Sequence, residues 1–574
     1  MRNSPRLVDF IVDFLHRQGV SHVFGVGGAN IEDLYDALHH AQVGPLGVVA
    51  KHEYSAATMA DGYHRASQRV PVIASTSGAG AMNLVPGIAE LRASYVPALV
   101  LIGQPPARLD GHGSFQETSG LAGSIDATRM FTELAVHCVR VREPERIVHE
   151  LPRALAAATD PAAPGPAVLL LPKDVQQAVL SSGASPSVAR EPVGLPLSET
   201  ADRARAAGLL RAARGKGGVV VIAGEAVARS DARPQLARLV RALDARVAVA
   251  PDAKDVFDPR DPRHLGVTGV MGMDEVEEEL ERASAVLLAG TRLPQMAGVG
   301  LHEHLKGVPV VCVDPREPFL DTREELVRLT GPVAAELDLL RRALSGAEPG
   351  PGPGLGRAAT ADPLPSASTP LDMRTSVLTV AAALPEGANV AADAGNAGAS
   401  AIHHVDVPVD GRFIAALGMG GMGHSFGAGI GAAFATGRRT CVIAGDGAFF
   451  MHGMELHTAV EHGLPVTFVV LNNNAHAMCA TREQLFFSGD YTFNVFRPAR
   501  IGDGVAAMFP GLAATTVRTV GELTAALDRA HATTSPALIC VDLDPTEMPP
   551  FRPFHQQALA TGRGRPVSEG AVPG

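Results

Sequence analysis

The sequence predicts an α/β protein of three domains, each built on a doubly wound parallel sheet. Two observations lead to this prediction. Short apolar runs alternate with amphipathic segments along the chain, as in sheets whose strands are buried by helices on both faces. Two stretches rich in Pro, Gly, Ala and Ser, residues 181–196 and 347–371, divide the chain into blocks of 1–180, 196–346 and 372–561.

The first block shows the alternation most clearly. Residues 6–18 carry apolar side chains at helical spacing and stop at Gly19, which predicts an amphipathic helix. The apolar runs in this block and the next predict strands at 23–26, 47–50, 70–75, 98–102, 218–223 and 285–289. The last residues, 562–574, are expected to form a flexible tail.

Composition narrows the class of protein. The chain has 574 residues, 46% of them hydrophobic, and no apolar run reaches the roughly 18 residues that a membrane span needs. No secretory signal is visible at the N-terminus, and the five scattered cysteines suggest a reducing compartment, so we expect a cytoplasmic protein. The net charge of −11 argues against nucleic acid as a main partner.

The most informative segment begins at Gly445-Asp446-Gly447 and closes, after 24 intervening residues, on Asn472-Asn473. An apolar run precedes each end, which predicts two buried strands joined by a helical segment. Asp446 and Asn473 would then lie at the carboxyl ends of the two strands, where open α/β sheets bind ligands. A carboxylate and an amide oxygen suit Mg²⁺ with a bound phosphate. By itself, however, Gly-Asp-Gly is also a common turn.

This pattern resembles that of the thiamine diphosphate (ThDP) enzymes. Other segments resemble the acetohydroxyacid (acetolactate) synthase branch of that family, namely VFGVGGANIEDLYDAL, KHEYSAATMADGYHRA, STSGAGAMNLVPGIAEL and GSFQET. The resemblance implies the pyruvate oxidase/acetolactate synthase-like architecture. It assigns 1–180 to a pyrimidine-binding domain, 196–346 to a central domain and 372–561 to a diphosphate-binding and Mg²⁺-binding domain.

Glu53 is the second half of the expected site. It falls at the end of a predicted strand and the start of a predicted helix, where a carboxylate is also favoured simply by the helix dipole. The resemblance implies more. A glutamate there hydrogen-bonds the pyrimidine ring of ThDP and so helps the cofactor to lose its thiazolium C2 proton.

The resemblance carries further roles over to individual residues. The Mg²⁺ ligands would be Asp446, Asn473 and the backbone oxygen of Ala475. The residues near the rest of the cofactor would be Asn83, Gly395, Asn396, Gly420, Met422, Gly447, Ala448 and Met478. Of these, Met422 would bend the cofactor and Met478 would pack on its pyrimidine ring, although Met is often only core filler. The residues near the substrate would be Gly28, Phe115, Gln116 and Arg482, with Gln116 beside the reacting carbon.

Several positions depart from the synthase pattern. Gly27 and Ala79 stand where two turns of the family carry Pro, and Glu133 stands in place of a common Lys. The chain contains no Trp, and Arg482 occupies the place of a Trp that favours bulkier acceptors. A guanidinium there could pair with a carboxylate or polarise a carbonyl, or it could simply face solvent or pair with Glu483.

The resemblance implies a homo-oligomer whose active sites take Glu53 from one subunit and the metal site from its neighbour. The expected reaction is carboligation: decarboxylation of a 2-ketoacid, with pyruvate as the expected donor, and transfer of the acyl unit to a second carbonyl compound. Decarboxylation alone is the main alternative, although the adjacent His pair of the simple decarboxylases is replaced by residues 113–116, Gly-Ser-Phe-Gln.

The sequence also leaves other hypotheses about function and cofactors open. A ThDP-fold protein without catalysis would be expected to lack Glu53, Asp446 or Asn473, and all three are present. A nicotinamide-binding protein is disfavoured because no G-x-G-x-x-G opens a helix with an acidic residue about 20 positions later. The central domain resembles FAD-binding domains at residues 265–276 and 289–300, with Arg292 at an FAD-contacting position, but it lacks the DDR that usually follows. It either binds FAD or keeps the fold without flavin.

Overall fold

A computed structural model describes residues 5–181, 194–214, 216–320, 325–344, 365–487, 489 and 493–561. Most of both expected linkers and the whole expected tail lie outside these residues. The chain forms two compact units. The first unit holds Met1–Leu195, Ala416–Thr440 and His452–Val466, and the second holds Pro196–Ala415, Cys441–Met451 and Thr467–Gly574.

A parallel sheet of six strands forms the centre of the first unit. Its strands are β1 (His22–Val26), β2 (Leu46–Val49), β3 (Val72–Ser75), β4 (Ala98–Gln104), β5 (His137–Arg140) and β6 (Pro166–Pro172). The helices from this part of the chain are α1 (Leu7–Arg17), α2 (Glu32–His40), α3 (Glu53–Ser67), α4 (Ala79–Asn83), α5 (Val85–Ala93), α6 (Ala127–Leu134), α7 (Ile147–Ala158) and α8 (Lys173–Gln177). The strands and the first helix that the sequence predicts are therefore confirmed, with small shifts at their ends.

Two parallel sheets of six strands belong to the second unit. The strands of one are β7 (Val219–Ala223), β8 (Arg246–Val249), β9 (His264–Val267), β10 (Ala285–Ala289), β11 (Val310–Val313) and β12 (Leu326–Leu329). The helices around it are α9 (Thr200–Arg214), α10 (Glu225–Arg229), α11 (Arg233–Leu243), α12 (Asp274–Arg282), α13 (Gln295–Gly298) and α14 (Val333–Leu344). The strands that the sequence predicts at 218–223 and 285–289 are confirmed as β7 and β10.

The third sheet contains the informative segment. Its strands are β13 (Asn389–Ala392), β14 (Phe413–Ala415), β15 (Thr440–Gly445), β16 (Val466–Asn472), β17 (Ala513–Val517) and β18 (Ala537–Asp542). The helices from this part of the chain are α15 (Met373–Ala383), α16 (Gly395–His404), α17 (His424–Thr436), α18 (Asp446–His452), α19 (Leu456–Glu461), α20 (Ala477–Phe486), α21 (Ile501–Met508), α22 (Val520–His531) and α23 (Arg552–Thr561). The predicted strand, helix and strand are thus β15, α18 with α19, and β16.

Each sheet is doubly wound, which fixes where ligands can bind. The strand orders are β2-β1-β3-β4-β6-β5, β12-β11-β10-β7-β8-β9 and β14-β13-β15-β16-β18-β17. The direction of winding reverses between β1 and β3, between β7 and β10, and between β13 and β15. Open α/β sheets bind ligands outside the carboxyl ends of the strands at such reversals. The fold class predicted from the sequence is therefore confirmed.

Within the first unit, α3 and α17 pack with their backbones in close approach. A Cβ atom on Gly62 would lie 1.9 Å from the carbonyl oxygen of Ala428, and one on Gly431 would lie 1.9 Å from that of Met59. Only glycine fits at these two positions, because any side chain would force the helices apart. The residues 53–62 therefore have a packing role in addition to any role in the site.

Within the second unit, polar contacts join the second and third sheets. Lys254 is buried and donates from Nζ to the carbonyl oxygen of Ile402 at 2.6 Å, near the end of α16. Burial lowers the pKa of Lys254 to about 8, and the negative charge of Asp406 opposes that shift. His403 Nδ1 lies 2.8 Å from the carbonyl oxygen of Met271. Among the described helices none is long and apolar enough to cross a membrane.

Candidate functional site

The predicted site residues fall into two groups, one in each unit. In the first unit, Glu53 is the first residue of α3 and is buried. His52 caps the helix, because its Nδ1 accepts a hydrogen bond from Tyr54 N at 3.1 Å. Asn83, at the end of α4, donates from Nδ2 to Glu53 Oε2 at 2.9 Å. The sequence predicted roles for Glu53 and Asn83 separately, and the structure brings their side chains into contact.

A glycine shapes the space around the Glu53 carboxylate. A Cβ atom on Gly80 would lie 2.9 Å from Glu53 Oε1 and 2.9 Å from Ser75 Oγ. That distance is shorter than ordinary van der Waals contact, so a side chain at position 80 would displace the carboxylate. The Asn83 amide thus binds the Glu53 carboxylate on one side. On the other side, the absence of a side chain at Gly80 leaves room for the carboxylate.

Gln116 and Gly28 lie at the carboxyl edge of the same sheet. The loop after β3 contains Thr76, whose Oγ1 lies 3.4 Å from Gln116 Oε1 and accepts from Asn30 N at 3.3 Å. Gln116 has a positive φ of 60°, which is unusual for a residue other than Gly, Asn or Asp and is frequent at functional sites. Gly28 accepts at its carbonyl oxygen from Ile31 N at 2.9 Å. Phe115 does not join this group, since it is 80% exposed.

Gly420 and Met422 lie in a turn, residues 418–423, that leads into α17. Gly420 is exposed and has a φ of 68°, while Met422 is half-buried. The turn approaches the start of α3: a Cβ on Gly421 would lie 2.3 Å from Tyr54 Oη. The structure therefore places Gly420 and Met422 in the same unit as Glu53.

In the second unit, Asp446 and Asn473 follow the neighbouring strands β15 and β16, as the sequence predicts. Asp446 is 1% exposed, and its Oδ2 has no hydrogen-bond partner among the described residues. Asn473 Oδ1 is likewise buried and unpartnered within the described part of the chain. Burial raises the pKa of Asp446 to about 6, although backbone N–H groups that include those of Asn473 and Gly447 oppose the shift.

These two oxygen atoms fit a divalent metal. Carboxylate and amide oxygen atoms without protein donors are of the kind that Mg²⁺ takes as ligands. Ala475 is also buried, and its neighbour Asn474 is held in a left-handed turn with a φ of 53° by Ala499 N, which donates to Asn474 Oδ1 at 2.8 Å. The described residues contain no group of three or more His, Cys, Asp or Glu that could hold a metal. The predicted site has a single carboxylate, so it depends on amide and carbonyl oxygen atoms and on a bound phosphate.

The predicted diphosphate contacts surround the winding reversal of the third sheet. Gly395 is the first residue of α16, which follows β13, and its φ is 79°. Asn396 is buried, donates from Nδ2 to the Glu547 carbonyl oxygen at 3.4 Å, and has an Oδ1 without a partner among the described residues. Gly447 and Ala448 are buried in the first turn of α18. Backbone N–H groups at such helix starts suit a phosphate.

Met478 and Arg482 lie on α20, against the C-terminal helix α23. Met478 packs on the cluster of Leu485, Phe554 and Ala558. Arg482 is exposed, with its guanidinium carbon 5.9 Å from the centre of the Phe554 ring. Their expected contacts with the cofactor and the substrate stay predictions.

In the second sheet, the positions expected to meet FAD are occupied by contacts between protein groups. A dinucleotide places its pyrophosphate at the helix that follows the first strand, and here that helix, α10, begins with the carboxylate of Glu225. Glu225 pairs with Arg229 and lies 3.4 Å from Arg316 Nη2. Arg292, the expected flavin contact, stacks 4.1 Å above the ring of Phe319 and donates to the Glu317 carbonyl oxygen at 2.6 Å.

Sequence reasoning missed a buried glutamate that supports the start of α3. The backbone N of Lys51 donates to both carboxylate oxygens of Glu455, at 3.2 and 3.1 Å, and Thr458 Oγ1 donates at 2.7 Å. Burial raises the pKa of Glu455, and these hydrogen bonds oppose the shift. The signal was one of two acidic residues, Glu455 and Glu461, within the segment between Asp446 and Asn473. Sequence reasoning also missed Asp61, Glu90 and His424.

Comparison with known proteins identifies the family of the chain. Three models of the thiamine pyrophosphate enzyme family match the chain: the N-terminal TPP binding domain over residues 5–123, the central domain over 203–340 and the C-terminal TPP binding domain over 393–541. Thiamine pyrophosphate is another name for ThDP.

Relatives match along most of the chain. The acetolactate synthase isozyme 1 large subunit of Escherichia coli (strain K12) is 28% identical over 563 residues, which cover 94% of each chain. The acetolactate synthase large subunit of Parasynechococcus marenigrum (strain WH8102) is 29% identical over 509 residues, covering 85% of this chain and 80% of that protein.

A solved structure shows the same fold. It is an X-ray structure described as a thiamin diphosphate-dependent enzyme from Mycobacterium smegmatis, 20% identical, with a TM-score of 0.78 over 94% of this chain and 99% of that one. Taken with the three family matches, which together span most of the chain, these findings show that the protein belongs to the ThDP-dependent enzymes and is of the acetolactate synthase type.

Proposed function

We propose that the protein is a ThDP- and Mg²⁺-dependent carboligase, which decarboxylates pyruvate or a similar 2-ketoacid and joins the acyl unit to a second carbonyl compound. The observation that carries this proposal is that Asp446 Oδ2 and Asn473 Oδ1, at the ends of neighbouring strands, are buried and have no hydrogen-bond partner among the residues that the structure describes. We assign the pyrimidine-binding, central and diphosphate-binding roles to residues 1–180, 196–346 and 372–561.

The metal would be held by Asp446, Asn473 and the Ala475 carbonyl. Gly395, Asn396, Gly447 and Ala448 would then meet the diphosphate through helix-start N–H groups and the Asn396 amide. Gly420, Met422 and Met478 would contact the rings. When bound, ThDP supplies the carbanion chemistry that releases CO₂ from the ketoacid.

Glu53 would exchange a proton with the pyrimidine ring. Asn83 donates to Oε2, which leaves Oε1 as the oxygen that could hold this proton. General acid–base help of this kind is typically worth about 10² to 10⁴ in rate. Gly80 keeps side-chain atoms away from the carboxylate, so the proton can pass without a steric barrier at that side.

The residues near the substrate favour ligation over simple release. Gln116 is an uncharged amide held in a strained backbone conformation, and no adjacent His pair occurs at residues 113–116 to protonate a carbanion. Without an acid at these residues, the acyl unit would be passed to a second carbonyl compound and not released as an aldehyde. Gly28, Phe115 and Arg482 would line the acceptor side. Release of an aldehyde stays the alternative outcome.

We further propose a cytoplasmic homo-oligomer in which Glu53 of one subunit faces the metal site of its neighbour. Two observations support this. The two groups of site residues belong to different compact units of the chain. The five cysteines are thiols and not disulfides, as in proteins of a reducing compartment. No step of the proposed reaction uses a flavin.

The Asp446→Ala variant should lose most of its response to the cofactor, because the metal loses its only side-chain carboxylate. A ligand at a hundredfold excess over its Kd stabilises the folded protein by about 2.7 kcal/mol. Wild type should therefore melt at a higher temperature with ThDP and Mg²⁺, and the variant should barely shift. Asp503→Ala, at an exposed position on α21, is the matched control and should behave as wild type. Equal shifts in Asp446→Ala and wild type would contradict the metal assignment.

Incubation of the loaded enzyme with pyruvate separates the candidate reactions. The proposal expects one CO₂ for each molecule of acetolactate, formed from two pyruvates, or of a mixed product when an aldehyde or diketone is added. Mass spectrometry of the products measures this ratio. Acetaldehyde as the main product would instead favour the decarboxylase alternative. Bound ThDP without CO₂ release from any ketoacid tested would indicate a binding protein.

Mixed oligomers test the shared site. Glu53→Gln and Asp446→Ala should each be inactive alone. In a dimer that contains one of each, one site pairs the intact Glu53 of one subunit with the intact Asp446 of the other. Random exchange should therefore restore about a quarter of wild-type activity. If each site were built within one chain, mixing would restore none, and the subunit-sharing proposal would be wrong.

Arg482 is expected to weaken discrimination between acceptors. It replaces an apolar wall with an exposed cation, and one methylene in an apolar pocket is worth only about 1–3 kcal/mol. Competition between pyruvate and 2-ketobutyrate should show little preference in wild type, and Arg482→Ala should change the acceptor profile. Arg374→Ala, an exposed arginine in the same domain, serves as the control. A strong preference for 2-ketobutyrate in wild type, or an unchanged profile in Arg482→Ala, would leave Arg482 without a role.

A further inference from the structure

The turn of residues 418–423 has an exposed middle but carries two predicted cofactor contacts, Gly420 and Met422. Gly418, Met419 and Gly420 are all exposed, with Met419 at 57%. A turn of this kind contains little apolar surface to hold it in place. Its position must therefore be set by specific contacts at its two ends.

The C-terminal end of the turn is fixed by a buried pair. His424, the first residue of α17, lies with its Nε2 2.8 Å from Asp61 Oδ2 on α3, and both side chains are 1% exposed. The other ring nitrogen, Nδ1, is buried and has no hydrogen-bond partner within the described part of the chain. The contact with Asp61 is therefore the polar anchor of the His424 ring.

The N-terminal end of the turn is fixed by a second carboxylate. Glu90 on α5 is buried, and it accepts from Gly418 N at Oε1, 3.2 Å, and from Met419 N at Oε2, 2.5 Å. Arg65 links the two anchors, because it contacts Asp61 Oδ1 at 2.9 Å through Nε and Glu90 Oε1 at 3.7 Å through Nη2. A carboxylate, an arginine and a second carboxylate thus join both ends of the turn.

Two neighbouring groups stabilise the buried carboxylate of Asp61. Burial alone would raise the pKa of Asp61, but the Arg65 guanidinium and the hydrogen bond with His424 hold the pKa below its ordinary value. Asp61 is therefore a carboxylate that needs both partners, since a buried charge that loses one is strongly destabilised. The His424 ring reaches Asp61 Oδ2. An apolar ring of similar size would leave that oxygen without this contact.

We propose that Asp61 and His424 form a positioning pair that sets the place of the Met422 turn relative to Glu53. The inference rests on the proposed function, because it assumes that Met422 and Gly420 meet the cofactor. Its physical basis is the helix α3, which begins at Glu53 and carries Asp61 two turns later. One rigid element therefore holds both the proton-exchanging carboxylate and the anchor of the turn.

The test compares His424→Phe, which keeps the ring volume without a donor, with His424→Gln, which keeps a donor of similar reach. His64→Phe is the matched control, since His64 is a buried histidine of α3 whose Nδ1 meets the Arg69 carbonyl oxygen at 3.0 Å, away from the turn. Two readouts are used. Hydrogen exchange of the 416–424 backbone is measured by mass spectrometry without cofactor, and C2–H exchange of bound ThDP is measured at saturation with Mg²⁺.

The proposal expects faster hydrogen exchange across 416–424 in His424→Phe than in wild type or His64→Phe. It expects C2–H exchange at saturation to slow by about a hundredfold, the cost of a misplacement near 1 Å, and both effects to be largely reversed in His424→Gln. Turn exchange in His424→Phe equal to wild type overturns the proposal, and so does unchanged C2–H exchange. If wild type itself bound no ThDP, the proposed function would fail instead, and the exchange of the cofactor-free turn would still report on the pair.

Discussion

Two buried oxygen atoms, Asp446 Oδ2 and Asn473 Oδ1, have no hydrogen-bond partner within the described part of the chain, and the proposed metal site depends on them. The doubly wound third sheet ends β15 and β16 side by side, so these side chains reach the same edge. Leaving such groups unpaired costs folding free energy. In the proposed function, a cation that carries a diphosphate would remove that cost. The same edge presents Gly395 and Asn396 at the start of α16.

The first unit shows a complementary arrangement, in which a carboxylate is held rather than left unpaired. Glu53 is positioned by Asn83 and by the absence of a side chain at Gly80, and Glu455 supports the backbone just before it. The turn that carries Met422 is attached to the same helix through Asp61 and His424. The proposed function uses the oxygen atoms of the second unit for a metal and the fixed carboxylate of the first unit for proton exchange.

The sequence predicted the sheets and the positions of Glu53, Asp446 and Asn473, because strand periodicity and the ends of strands are local properties of the chain. It could not predict contacts that depend on distant segments. Asp61 meets His424 across 363 residues, and no spacing rule connects them. Met478 is a second example. Only the tertiary packing shows that it lies on the cluster that includes Phe554.

The assignment of a metal to Asp446 and Asn473 is tested by replacing Mg²⁺ with Mn²⁺ and counting the bound ions by electron paramagnetic resonance. The account predicts close to one tightly bound Mn²⁺ per chain when ThDP is present and far weaker binding without it, because Asp446 is the only carboxylate ligand and the diphosphate must supply the others. Tight binding of ThDP with no Mn²⁺ bound would contradict the account. Equal Mn²⁺ binding by wild type and Asp446→Ala would contradict it as well.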